Sequence, residues 1–313
     1  MLVLATLFWG LSFPIIKTLA LLQGSLAPGA GPWFAAAWLV APRFFVATLL
    51  IALWQGRDVL RITPAEWKQG VVIGLFAAAG MLLQNDGLQF TAASTSAFLT
   101  QFYAILIPIY LGLRARQLPG LKVWLSCVLV LGGVAVLGHF DWRTFSLGRG
   151  EWETLAASVF FTGQILWLEK KEFAANRAGK ITFVTLATQA IVFVALAVAT
   201  APRASALVAS WTSPSWLTLT AVLAVVCTIG AYGLMNAWQP KISATEAGLI
   251  YCVEPIFAAL LALFLPALFS RWAGVDYANE QATVSLLAGG GLITLANVLV
   301  QWKPPARAAE SPA

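Results

Sequence analysis

Apolar runs of about twenty residues, separated by short polar, basic or proline-bearing segments, fill this chain from end to end. A helix needs about 20 mainly apolar residues to cross roughly 30 Å of hydrocarbon. The pattern predicts ten spans, at 1–20, 33–54, 69–88, 92–112, 121–139, 151–169, 181–200, 214–236, 244–265 and 283–302. The expected fold class is an all-α integral membrane protein. The first run lacks a basic n-region and a clear small-residue cleavage site, and it carries Lys17 late. It therefore reads as a retained first helix and not as a signal peptide. The end of the chain, 303–313, is Pro/Ala-rich and reads as a short disordered cytoplasmic tail.

The runs repeat. Gln89, Thr95, Ala97 and Leu99 recur as Gln239, Thr245, Ala247 and Leu249, and Val72 and Gly80 recur as Val222 and Gly230. Leu131-Gly132-Gly133 is echoed by Gly289-Gly290-Gly291. The two repeats are expected at 1–139 and 151–302. Each holds five spans, an odd number, so the second must enter the membrane with the opposite orientation. Such an inverted repeat is a signature of transporters that alternate access around a central site. The register slips by about eight residues between the ninth and tenth spans. Residues 269–280 form the polar part of that insertion.

Composition agrees with lipid as the solvent. Hydrophobic residues make up 60%, charged residues 10%, and the mean hydropathy is +0.82. Soluble domains carry roughly 25% charged residues. The formal charge of +6 is not a nucleic-acid footprint, because the basic residues sit between apolar runs. With the N-terminus inside, Arg57, Arg61, Lys68, Arg114, Arg116, Lys122, Lys170, Lys171, Arg177, Lys180, Lys241, Lys303 and Arg307 all fall on the cytoplasmic side. The outer loops then keep Arg143, Arg149, Arg203 and Arg271. Both termini are therefore expected in the cytoplasm. Cys127, Cys227 and Cys252 fit no metal spacing, and the lone His139 excludes a histidine-rich site. No cofactor is implied. The expected partners are a small-molecule substrate and the bilayer, with the protein a monomer or a dimer.

Polar groups in hydrocarbon need a reason to be there. Glu254 stands mid-span before Pro255, whose missing N–H invites a kink. It reads either as a substrate or proton contact, or as a paired carboxyl tying two helices together. Gln101 and Tyr251 occupy equivalent repeat positions, as a midplane site would require. Asn85 ends the third span, beside Gln84 and an interfacial Asp86. Gln164, Tyr232 and Asn236 are weaker candidates. Trp9 and Phe13 in the first span and Trp167 in the sixth form a candidate aromatic wall. Lys17 and Arg43, toward the outer ends of adjacent helices, would attract an anionic group such as a carboxylate, or else snorkel to the interface. Gly70, Gly74 and 289–291 permit close helix contact. Among enzyme and nucleotide motifs, H-E-x-x-H, G-x-S-x-G and the P-loop lysine are all missing, so the chain reads as neither an enzyme nor an ATP-driven pump.

Several segments resemble EamA-type members of the drug/metabolite transporter superfamily. Residues 8–17 (FWGLSFPIIK) resemble that family's opening helix, and Arg43-Phe44-Phe45-Val46-Ala47 its second. Residues 91–99 and 243–249 resemble its paired fourth- and ninth-helix openings, and Glu254-Pro255 its second-repeat E-P motif. The chain departs from the family in lacking a G-E pair after the fourth and ninth helices. The resemblance implies ten helices in two inverted five-helix repeats and export of small metabolites, often amino acids. The resulting expectation is a secondary exporter in the cell inner membrane, acting by alternating access on amino acids. The aromatic residues of the first and sixth spans point to aromatic amino acids. A broad exporter of cationic drugs, with Glu254 as counter-charge, is the alternative. An intramembrane enzyme or a passive channel are rivals of other classes.

Overall fold

A computed structural model of the chain describes residues 1–87, 90–91, 96, 99–137, 143 and 147–301. The opening of the fourth span, the end of the fifth with His139, and the tail 303–313 lie outside the described residues. The main helices are α1 (Leu2–Leu26), α2 (Pro32–Gln55), α3 (Pro64–Gly87), α4 (Tyr103–Ala115), α5 (Leu121–Leu137), α6 (Arg149–Leu168) and α7 (Ala178–Thr200). They continue as α8 (Pro214–Lys241), α9 (Ala244–Ala262), the short α10 (Leu265–Ala273) and α11 (Val284–Gln301). Six of them, α1, α2, α3, α7, α8 and α9, are long and apolar enough to cross a membrane, α2 by running on to Arg61. Tyr103–Ala115, Leu121–Val136 and Leu287–Leu299 form shorter apolar helices.

The chain exposes Leu53, Leu113, Val128, Ile191 and Leu287 on its helix surfaces. In water such a surface would drive aggregation. Facing lipid, it costs nothing. Polar and small residues are buried instead, as at Thr154, Ser158, Gln189 and Asn236, so the helices meet through van der Waals fit and interhelical hydrogen bonds. Gly70 and Gly74 show this at α3. A methyl group on Gly74 would stand 2.9 Å from the carbonyl oxygen of Thr185 on α7. Gly133 on α5 meets α11 in the same way, at the Gly289 oxygen.

The packing follows a rule of exchange. Helix α2 packs on α7 and α5 on α11. Helix α3 packs on α6 and on α7, while α8 packs on α1 and on α2. Helix α1 packs on α9, and α4 packs on α6. Trading each helix of the first half for its counterpart in the second turns each of these contacts into another that is present.

Three helices depart from α geometry. Pro255 has no N–H to donate, and α9 breaks into Ala244–Tyr251 and Glu254–Ala262, with tight turns at Cys252 and Val253. The equivalent stretch of the first half, Gln101–Phe102, is also a turn, from which α4 begins at Tyr103. Pro108 within α4 frees the Ala104 carbonyl, which accepts from the Cys127 thiol at 3.2 Å. Helix α8 widens into a π stretch at Leu223–Gly230. Such stretches are frequent at functional sites. After α9 the chain forms α10, which runs into the inserted segment 269–280 and is closed at Gly274 in the left-handed conformation (φ 69°). Phe264, Leu268 and Trp272, spaced four apart, leave an exposed apolar stripe along it.

Candidate functional site

The breaks in α4 and α9 come together. Gly248 on α9 leaves room for Ile107 and Tyr103 of α4, since a methyl group there would stand 2.8 Å from the Ile107 side chain. The Tyr103 hydroxyl donates to Gln101 Oε1 at 2.7 Å and lies 4.0 Å from the Cys252 sulfur. Tyr251 and Glu254 are within electrostatic reach of that hydroxyl. Gln101, Tyr251 and Glu254 thus occupy one region, where α4 meets α9.

Helix α1 closes the region from another side. Its Gly10 lies against the second half of α9, and a methyl group there would come within 2.7 Å of Phe257 Cβ and 2.9 Å of the Ala258 nitrogen. That closeness brings Trp9 edge-on to Tyr251, with ring centroids 5.3 Å apart, and to Tyr232 of α8 at 6.1 Å. Tyr232 stands edge-on to Phe44 of α2 at 6.1 Å. The Arg43 guanidinium lies over the Phe44 ring, 4.8 Å from its centroid. Tyr251, Trp9, Tyr232 and Phe44 therefore form a continuous run of edge-on ring contacts that ends at Arg43.

Hydrogen bonds fix these rings. Tyr251 donates to Gln239 Oε1 at 2.8 Å, and Gln239 Nε2 donates to the Ile165 carbonyl at 2.8 Å. Tyr232 donates to Gln189 Oε1 at 3.2 Å, and Asn236 donates to Thr182 at 2.9 Å. Gln164 Nε2 approaches the Met235 sulfur at 3.5 Å.

Arg43 stands near the middle of α2, deeper than the outer end the sequence pattern assigns it. It is 6% exposed, and one of its terminal nitrogens approaches Met81 Sδ at 3.5 Å. Its Nε has no acceptor among the described residues. No carboxylate among the described residues pairs with it. Glu254 is half-buried and likewise has no ion-pair partner among them.

Other sequence candidates fall elsewhere. Phe13 is 47% exposed on the outside of α1, and Lys17, one turn on, is also exposed. Neither joins Arg43. Trp167 packs against Phe173, with the Lys170 ammonium 3.4 Å from its ring centroid, away from Trp9. Asn85 is half-buried at the end of α3. Asp86, read as interfacial, is buried and paired to Arg149 at 2.5 Å. Phe44 and Met81 carried no polar signal and were missed. Phe44 is legible only through its place beside Arg43.

Residues 1–138 match the EamA-like transporter family. The match ends short of the middle of the chain, and the likeness to EamA-type transporters rests on that part. An uncharacterized transporter of Archaeoglobus fulgidus is 31% identical over 109 residues, which is 34% of this chain. The chain spans only 29% of that relative's length. A solved crystal structure, 17% identical, superposes with a TM-score of 0.63 over 95% of this chain and 96% of its own. At that identity the likeness is one of fold.

Proposed function

We propose that this protein is a secondary transporter that exports small metabolites across the cell inner membrane by alternating access. Amino acids are the proposed substrates, aromatic ones in particular. The observation that carries the reading is the meeting of two broken helices, α4 and α9, at Gln101, Tyr251 and Glu254, lined by Trp9 and Tyr232. Discontinuous helices at the interface of inverted repeats are where such transporters hold their substrates. The exchange rule in the packing supports two five-helix repeats, 1–139 and 151–302, in a ten-span protein, and the distribution of loop charges supports both termini in the cytoplasm. The family match over residues 1–138 and the name of the archaeal relative support transport itself. The chain carries no Walker motif, so the driving force is an ion or substrate gradient.

Export of cationic drugs is the second reading, favoured by Glu254, which has no ion-pair partner among the described residues. Arg43, at the end of the run of ring contacts, opposes a site built for cations alone.

Counterflow in proteoliposomes, against a panel of amino acids and cationic dyes, tests the proposal. Exchange of labelled aromatic amino acid without ATP is the expected result. Exchange of dyes alone would favour the second reading, and a strict need for ATP would end both.

A further inference from the structure

Helix α8 packs on α1 and α2, and the loop charges put its first half toward the outer face. Along this seam the chain buries polar groups without satisfying them. Among the described residues, half of the buried side-chain polar atoms that lack a hydrogen bond lie here. They are both amide atoms of Gln23 on α1, Nε of Arg43 on α2, and Trp216 Nε1, Thr220 Oγ1 and Thr228 Oγ1 on α8. Each is sealed from water, so each carries its full desolvation penalty. The repeat-equivalent seam at the inner face, α3 against α6 and α7, is built differently. At the 150-residue offset Trp216 and Leu219 correspond to Glu66 and Gln69. Glu66 is paired with Arg177, Gln69 Oε1 accepts from Asn176 at 2.8 Å, and Gln69 Nε2 donates to the Leu168 carbonyl at 3.4 Å.

The outer seam also has two ends that lead somewhere. At the outer ends of α1 and α2 lies a cavity of about 170 Å³, lined by Gln23 with Ala20, Ala27, Ala35 and Leu39. At the inner end stands Arg43, over the ring of Phe44, which adjoins Tyr232 and so the run of rings that reaches Tyr251. Between the two, Thr228 lies in the π stretch of α8, where the helical ladder is already loosened. Unpaired polar groups on a closed seam gain partners as soon as the helices part, since water or a polar solute bonds them as well as protein does.

We propose that the seam of α8 against α1 and α2 is the outward passage of the transporter, closed in this structure, and that Gln23, Thr220 and Thr228 line it when it opens. This inference rests on the transporter reading above and adds the route by which the substrate leaves. A polar substrate would move from the rings at Tyr232 past Thr228 and Thr220 to the cavity at Gln23.

The test uses the full-length protein with Cys127, Cys227 and Cys252 replaced, reconstituted with known sidedness. Thr220→Cys and Thr228→Cys are treated with an impermeant thiol reagent from the outer face, with Ile73→Cys, equally buried on α3, as the control. Both threonine positions should label and Ile73 should not. Counterflow of the amino-acid and dye panel is measured on the same vesicles. Thr220→Val and Thr228→Val, made in the protein with its own cysteines, keep the shape and remove the hydroxyl. Each should melt at or above the wild-type temperature, because the closed seam loses an unpaired group. Each should also slow counterflow about fivefold, because the open passage loses one hydrogen bond. Thr220→Ser and Thr228→Ser, which keep the hydroxyl, should restore the rate. A merely structural hydroxyl would move the melting temperature and leave the rate alone. Sealed cysteines at 220 and 228 while counterflow runs, equal labelling at Ile73, or valine variants at the wild-type rate would each overturn the passage and leave the transporter reading standing. Counterflow of no compound on the panel would end that reading, and the passage with it.

Discussion

Arg177 grips Glu66 with both arms of its guanidinium, Nε at 2.8 Å from Oε1 and a terminal nitrogen at 2.9 Å from Oε2. The Arg177 backbone N–H adds a third bond at 3.1 Å. Glu66 closes a capping box at the start of α3 by accepting from the Thr63 N–H at 2.8 Å, and Thr63 Oγ1 accepts from the Glu66 N–H at 3.2 Å. Arg177 N-caps α7 and also donates to the Arg61 carbonyl. One carboxylate therefore ties the starts of two helices that belong to different halves of the chain.

This pair predicts an asymmetry. Glu66 is 2% exposed and Arg177 about half. Arg177→Ala strands a buried carboxylate and should cost about 1.5–3 kcal/mol, read as a clear fall in melting temperature in detergent. Glu66→Gln strands only a solvated guanidinium and should cost less. Arg177→Lys should recover little, because an ammonium cannot make the fork. Equal melting temperatures for the alanine and glutamine variants would show that burial of Glu66 carries no weight.

Gly10 predicts a dependence on helix approach. A methyl group there meets backbone of α9 at 2.9 Å, and backbone cannot swing aside as a flexible side chain can. Gly10→Ala should push α1 from the E-P segment, cost about 1–3 kcal/mol, and disturb the Trp9–Tyr251 contact. Altered tryptophan fluorescence together with a lower melting temperature is the expected result. Gly24→Ala, where a methyl group meets nothing within 4 Å, is the control and should behave as wild type.

The apolar runs made the helices legible, because length and hydropathy are local properties. Pro255 made the break in α9 legible too, since a missing N–H breaks the ladder whatever the surroundings. The turn at Gln101–Phe102 was not legible, because no proline lies inside it. The charged candidates were the hardest. Lys17 and Arg43 read alike in sequence, each a single cation in an apolar run. Rotation about the helix axis separates them, putting Lys17 outside and Arg43 inside. Apolar residues on every side of α1 and α2 leave no periodicity from which that rotation could be read. The partner of Asp86 was not legible because Arg149 lies 63 positions away.

The charge pattern predicts which end faces the cytoplasm. Arg114 and Arg116 end α4 at the expected inner face, and both are exposed. A cysteine at Arg114 should resist a membrane-impermeant thiol reagent in intact cells and react once the cells are opened. Labelling from outside would invert the orientation.

The central claim is that one site, at the break in α9, opens to each side of the membrane in turn. The most direct test places a single cysteine there, Glu254→Cys, in a protein whose Cys127, Cys227 and Cys252 are replaced. The protein is reconstituted with known sidedness and labelled with an impermeant thiol reagent from each face separately. Alternating access predicts labelling from either face. It also predicts that fixing the protein open to one side, by a cross-link across the opposite end, abolishes labelling from the cross-linked face alone. Labelling from only one face in every condition, or from neither, would contradict the account.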